Sequence, residues 1–164
     1  MKTQHGGFRM LRREQLLQEL VHDPYKEAKK HVEPAACAHC GAVYHRGRWT
    51  WGEAPKDAHS VTCPACRRIR EHAPAGFVKL SGEFLRTHHD EVLARVRHCE
   101  QSEKQDHPLQ RIMAVQAEEG GIVVTTTDPH LARRIGEAVN DAYHGELTYH
   151  YNKEENLLRV TWVR

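Results

Sequence analysis

Two Cys-x-x-Cys pairs constrain this chain more than anything else in it. Cys37-Ala-His-Cys40 and Cys63-Pro-Ala-Cys66 are separated by twenty-two residues. A Cys-x-x-Cys turn aims two sulfurs at one ion, and two such turns close a tetrahedron of thiolates around zinc. The expected ligands are therefore Cys37, Cys40, Cys63 and Cys66, with Zn2+ as the cofactor. Paired knuckles favour a closed structural site. A catalytic zinc keeps an open position beside an acid or base, and His39 and His45 lie close in sequence but outside the sulfur set. With four of five cysteines committed to one pattern, the chain suits a reducing compartment better than a disulfide framework. The cytoplasm is the expected location.

The 164 residues suffice for one domain or two small ones. No apolar run approaches the ~20 residues of a membrane span, and Met1–Phe8 has no apolar segment of a secretory signal. No membrane partner is expected. The net charge of +2 hides an asymmetry: residues 1–79 carry 14 Lys and Arg against 8 Asp and Glu, residues 80–164 carry 10 against 14. The basic half is the half that holds the cysteines.

Along the chain, three regions are expected: an N-terminal helix and linker at 1–33, a four-cysteine module at 34–74 and an α+β domain at 75–164. Leu11, Leu16, Leu17, Leu20 and Val21 give Met10–His22 the period of an amphipathic helix, stopped by Asp23-Pro24. Alternation on either side of Gly47 predicts a hairpin, and Arg67–His72 a short helix after the second knuckle. Ser81 reads as the cap of a long helix from Gly82 to Asp106 whose stripe includes Leu85, Val92, Val96 and Cys99; its polar end, Glu100–His107, is expected to project into solvent. Two strands, Leu109–Glu118 and Gly121–Thr127, lead to a helix capped by Asp128 with Pro129 at its first position. Strands at Glu146–Tyr151 and Leu158–Val163 finish the pattern. The preferred fold is α+β: a zinc-ribbon or knuckle module, a long amphipathic helix, then a β-β-α-β-β unit with the helix packed across it. The alternative adds Gly76–Leu80 as a strand and gives a ferredoxin-like sandwich with an extra strand.

The segment Tyr44-His45-Arg46-Gly47-Arg48-Trp49-Thr50-Trp51 interleaves aromatic rings with arginines. Rings stack on unpaired bases and arginines pair with phosphates, which suits RNA. A zinc ribbon has little core, so packing of at least one tryptophan against the module is the competing reading. Arg46, Arg48, Trp49, Trp51, Arg67 and Arg68 form the candidate contact face. Arg133 and Arg134 near a helix start could hold a phosphate, but Asp128 competes for the same helix end. Cys99 reads as core. No nucleotide-binding glycine loop, catalytic triad or carboxylate pair is present in the sequence, and no enzymatic activity is expected.

Cys37-Ala-His-Cys40-Gly41, Tyr44–Trp49 and Cys63-Pro-Ala-Cys66-Arg67-Arg68 resemble the N-terminal zinc region of the nuclear export adapters for the large ribosomal subunit and their archaeal relatives. The chain is also similar, over most of residues 23–164, to a set of small uncharacterised bacterial zinc-ribbon proteins that share the Cys-x-x-Cys, Gly-Arg-Trp and His-Leu-Ala-Arg-Arg elements. The resemblance implies contact with the ribosome or ribosomal RNA and no enzymatic step. The first expectation is thus a zinc-stabilised RNA-binding protein associated with the ribosome or its assembly intermediates. The alternative is a protein–protein adaptor that recruits its partner through the N-terminal helix or the polar end of the long helix.

Overall fold

The computed structural model describes residues 32–164. The helix expected at Met10–His22 lies outside the described residues. Four three-residue strands build a small mixed sheet: β1 (Ala35–Cys37), β2 (Val43–His45), β3 (Arg48–Thr50) and β4 (His59–Val61), in the order β3-β2-β1-β4. The expected hairpin is β2-β3, with Tyr44 opposite Trp49. Its two turn residues, Arg46 and Gly47, both have positive φ, at 51° and 77°, the geometry whose twist matches the flanking strands. Glu33 secures that turn by accepting from the Arg46 and Gly47 N–H groups at 2.9 and 3.0 Å. β4 runs parallel to β1, with Cys37 in register with Val61. That ladder brings the second knuckle beside the first.

Helix α1 (Pro64–Glu71) starts three residues earlier than expected, inside the second knuckle. Cys63 is its N-cap: the sulfur accepts from the Cys66 N–H at 3.4 Å, and Pro64 fits the first turn, where its missing N–H costs nothing.

The large sheet has five strands: β5 (Gly76–Ser81), β6 (Ile112–Glu118), β7 (Gly121–Thr126), β8 (Glu146–Asn152) and β9 (Leu157–Val163), in the order β6-β7-β5-β9-β8. Helices α2 (Glu83–Thr87) and α3 (His89–Asp106) follow β5, and α4 (Pro129–Tyr143) follows β7. The preferred four-stranded unit is therefore corrected. β5 lies in the middle of the sheet, antiparallel to β7 and parallel to β9. The element order is that of the alternative, strand-helix-two strands-helix-strand plus a final strand. The final strand does not extend an edge; β9 turns back from β8 and fills the position next to β5.

The helices cover one face of this sheet. Val78, Leu80, Val124, Val160 and Trp162 from the strands meet Leu85, Val92, Val96, Leu131, Ile135 and Val139 from the helices, and all are buried. Cys99 belongs to this core, and burial pushes its thiol up to about 11.

Three local expectations are also corrected. Ser81 ends β5, and Gly82 takes the cap position with φ 106° and no side-chain bond. The cap is supplied instead by the Arg164 carbonyl, which accepts from the Phe84 N–H at 2.8 Å. The long helix breaks at His88, whose φ is −124°. Just before it the Thr87 hydroxyl donates back to the Phe84 carbonyl at 3.1 Å, a bond that competes with helical pairing. The polar end of α3 does not stand free in solvent: the Trp51 indole N–H donates to the Lys104 carbonyl at 2.7 Å, and Arg134 pairs with Glu103 at 3.0 Å.

Candidate metal centre

The two knuckles bring Cys37, Cys40, Cys63 and Cys66 together so that their sulfurs lie within 4.8 Å of one another. Cys40 and Cys63 are 3.7 Å apart. A tetrahedral zinc with bonds of about 2.3 Å has sulfurs roughly 3.8 Å apart, and a disulfide would need about 2 Å. The spacing fits a shared ion. Cys37 and Cys63 are buried, while Cys40 and Cys66 are half-buried.

Electrostatics divide the thiols. Burial pushes Cys40 and Cys63 up. Burial also acts on Cys37, but the backbone N–H groups of Cys63, Cys40 and His39 outweigh it and bring its pKa down to about 6. One such contact, Cys63 N–H to Cys37 Sγ, spans 3.3 Å. The site thus supplies one ready thiolate and two thiols that a metal must deprotonate.

A residue that sequence reasoning missed completes the centre. Arg111, just before β6, is 9% exposed, and its Nη2 donates to the sulfurs of both Cys63 and Cys66 at 3.3 Å. Burial opposes its charge, but Cys66, Cys63 and Cys40 outweigh burial and raise its pKa. A four-thiolate zinc carries a net charge of about −2, so a buried guanidinium is an apt neighbour. Thr127 holds Arg111 in place: its hydroxyl accepts from the Arg111 N–H at 2.9 Å and its own N–H donates to the Arg111 carbonyl at 2.9 Å. Leu109, two residues upstream, packs on the cysteine cluster. The large sheet is therefore fastened directly to the four-cysteine cluster.

The six residues expected to contact RNA differ in exposure. Arg46 and Arg48 are exposed at the hairpin. Trp49 is half-buried, packs on the cysteine cluster and meets Tyr44 at a ring separation of 5.3 Å. Trp51 is 39% exposed while its N–H is bonded to Lys104. Arg67 is half-buried. Arg68 leaves the expected face: it is 6% exposed, and its guanidinium donates to the Ala73 carbonyl at 2.9 Å. There it satisfies backbone beyond the end of α1, which explains its burial. Arg133 and Arg134 are engaged with Glu137 and Glu103, at 3.4 and 3.0 Å, around the start of α4.

A comparison with protein-family models, curated proteins and solved structures finds no match to this chain. Among the described residues, no helix is long and apolar enough to cross a membrane.

Proposed function

We propose that the metal is a structural zinc and that the protein is an RNA-binding protein acting at the ribosome or its assembly intermediates. The sulfur-only ligand set supports zinc, and four sulfurs occupy every tetrahedral position, which gives the ion a structural role. The observation that carries the RNA reading is the exposed Arg46–Arg48 pair on a hairpin whose partner strand leads straight out of the first knuckle. A hairpin fixed by metal presents its guanidiniums at little ordering cost, and guanidiniums pair with phosphates. The ribosomal target comes from the resemblance of the zinc region to the export adapters.

The test is RNA affinity at several salt concentrations for the wild type and for Arg46→Ala with Arg48→Ala. The double variant should keep its metal, at about one zinc per chain, and its log affinity should fall less steeply with log salt, by about 0.7 per lost contact on a single strand. An unchanged slope removes both arginines from the interface. Sedimentation of tagged protein with a ribosomal subunit, lost after RNase treatment, checks the ribosomal part; protein confined to the light fractions argues against it.

A second reading, an adaptor, is favoured by one feature. Ile69 is 38% exposed on α1 and lines a hollow of about 280 Å³ with His39, Cys66 and Arg70. In that case Ile69→Asp abolishes partner recovery while RNA affinity is unaltered.

A further inference from the structure

Among the described residues, the helices of the large sheet all lie on one side, and no described element packs across the opposite face. Register fixes what that face presents. One row across the sheet carries Thr125, Phe77 and Arg159 on β7, β5 and β9; the next carries Gln116, the buried Val123, Lys79 and Thr161 on β6, β7, β5 and β9. No acidic residue falls in either row. Lys79, Gln116 and Arg159 are exposed, and Phe77 is half-buried at the centre. The Arg159 guanidinium stands 4.7 Å above the Phe77 ring. Lys79 reaches Glu118 at 3.3 Å in the third row, but this pair is exposed at both ends, so it is weak and easily exchanged for a phosphate.

We propose that this open face, centred on Phe77 and Arg159, is a platform for a single unpaired RNA strand. The inference goes beyond the hairpin contact and uses a different element of the fold. Three features favour this occupant. The rows combine an aromatic ring and a stacked guanidinium with hydroxyl and amide groups, the set that binds unstacked bases and their edges. The charge is positive where a backbone would cross, and the acids, Glu118 and Glu146, are confined to the row beyond. A protein-docking face would need more apolar area than the half-buried Phe77 and the exposed Val163 supply. A duplex hides its base faces and cannot use the ring.

The test uses the full chain with its metal and a short labelled single-stranded RNA, alone and annealed to its complement. Phe77→Leu keeps the volume and removes the ring; Lys79→Gln with Arg159→Gln removes the charge from exposed positions. Both variants should melt near the wild type. Phe77→Leu removes the ring that seats the Arg159 guanidinium, whose outer face is the one free to stack on a base, so it should bind the single strand about tenfold more weakly, the loss expected from one stacking contact. The charge variant should flatten the salt dependence by about 0.7 for each lost contact. Wild-type affinity in both, or equal preference for the duplex, overturns the proposal. If Arg46→Ala with Arg48→Ala loses binding while the sheet variants retain it, the platform fails and the hairpin stands. The reverse result removes the hairpin and keeps the platform. Binding of neither RNA form by the wild type ends both.

Discussion

At the scale of single residues, Arg111 is the side chain that ties the cysteine cluster to the rest of the fold. It donates to two ligating sulfurs from a position forty-five residues beyond Cys66. Partners that bond to metal ligands commonly change metal affinity by about 10- to 100-fold when removed. Arg111→Met, which keeps much of the side-chain length, should lower zinc affinity by that order in competition with a chromophoric chelator. Unaltered affinity would leave the guanidinium as packing alone. The thiols predict a pH dependence as well. Cys40 and Cys63 are raised and retain protons at neutral pH, whereas Cys37, at about 6, has lost its proton there. Zinc displaces the retained protons, so its affinity should climb with pH through the neutral range. Below pH 6 protonation of Cys37 adds to the loss. A flat profile across the neutral range would contradict this assignment. The four-cysteine cluster was readable from the sequence because its spacing is itself the chemistry. Arg111 was not, because a lone arginine near a strand start has no periodicity and its partners are distant in the chain. The only trace it left is a basic residue between Leu109 and Ile112, where an apolar one would suit the pattern.

Among the elements, boundaries set by side chains were legible and those set by tertiary contacts were not. Asp128-Pro129 announced α4, and the Asp128 carboxylate does accept from the His130 N–H at 2.7 Å. The strands β1 and β4 passed unnoticed since Ala35-Ala36-Cys37 has no polar alternation and β4 pairs in parallel with the distant β1, with no hairpin turn to mark it. Gly82 was overlooked because its neighbour Ser81 is the better cap by type. The structure shows why glycine is needed: φ is 106°, and a Cβ there would lie 2.2 Å from the Arg164 carbonyl oxygen. Gly82→Ala should therefore destabilise the large sheet by roughly 1–3 kcal/mol from backbone strain alone, seen as a lower melting temperature with metal content unaffected. A variant as stable as the wild type would mean that the β5-α2 junction adjusts freely. The break between α2 and α3 was equally invisible, for it is a change of backbone angle at His88 within an otherwise consistent helical stripe.

For the molecule as a whole, the small sheet and the large sheet differ in what stabilises them. The small one buries little besides Ala35, Ala42, Val43 and Ala65. Zinc binding in comparable small modules contributes about 10–16 kcal/mol, more than such a core supplies. The large sheet has Trp162 and a full apolar layer of its own. Chelation should thus unfold residues around the knuckles and free the end of α3, while the large sheet keeps its packing. Tryptophan reports this directly, as Trp49 and Trp51 belong to the metal side and Trp162 to the core. A chelator should shift emission in the Trp162→Phe variant and leave it nearly unmoved when Trp49 and Trp51 are both replaced by Phe. Loss of both signals together would show one cooperative unit. The division of labour was foreseeable from composition, but not the insertion of β9 beside β5, since pairing between strands about eighty residues apart leaves no local mark.

That insertion sets a timetable for synthesis. Both knuckles leave the ribosome before any strand of the large sheet, so the small sheet can close on its metal early. β5 then has β7 on one side and nothing on the other until β9 is made. Through that interval its β9-facing backbone groups and the apolar residues awaiting Trp162 stay open to wrong partners. The last-made strand is thus the step at which nascent chains of this fold are most exposed to aggregation, and a metal-filled module, folded first, keeps Arg111 and the start of β6 anchored while they wait.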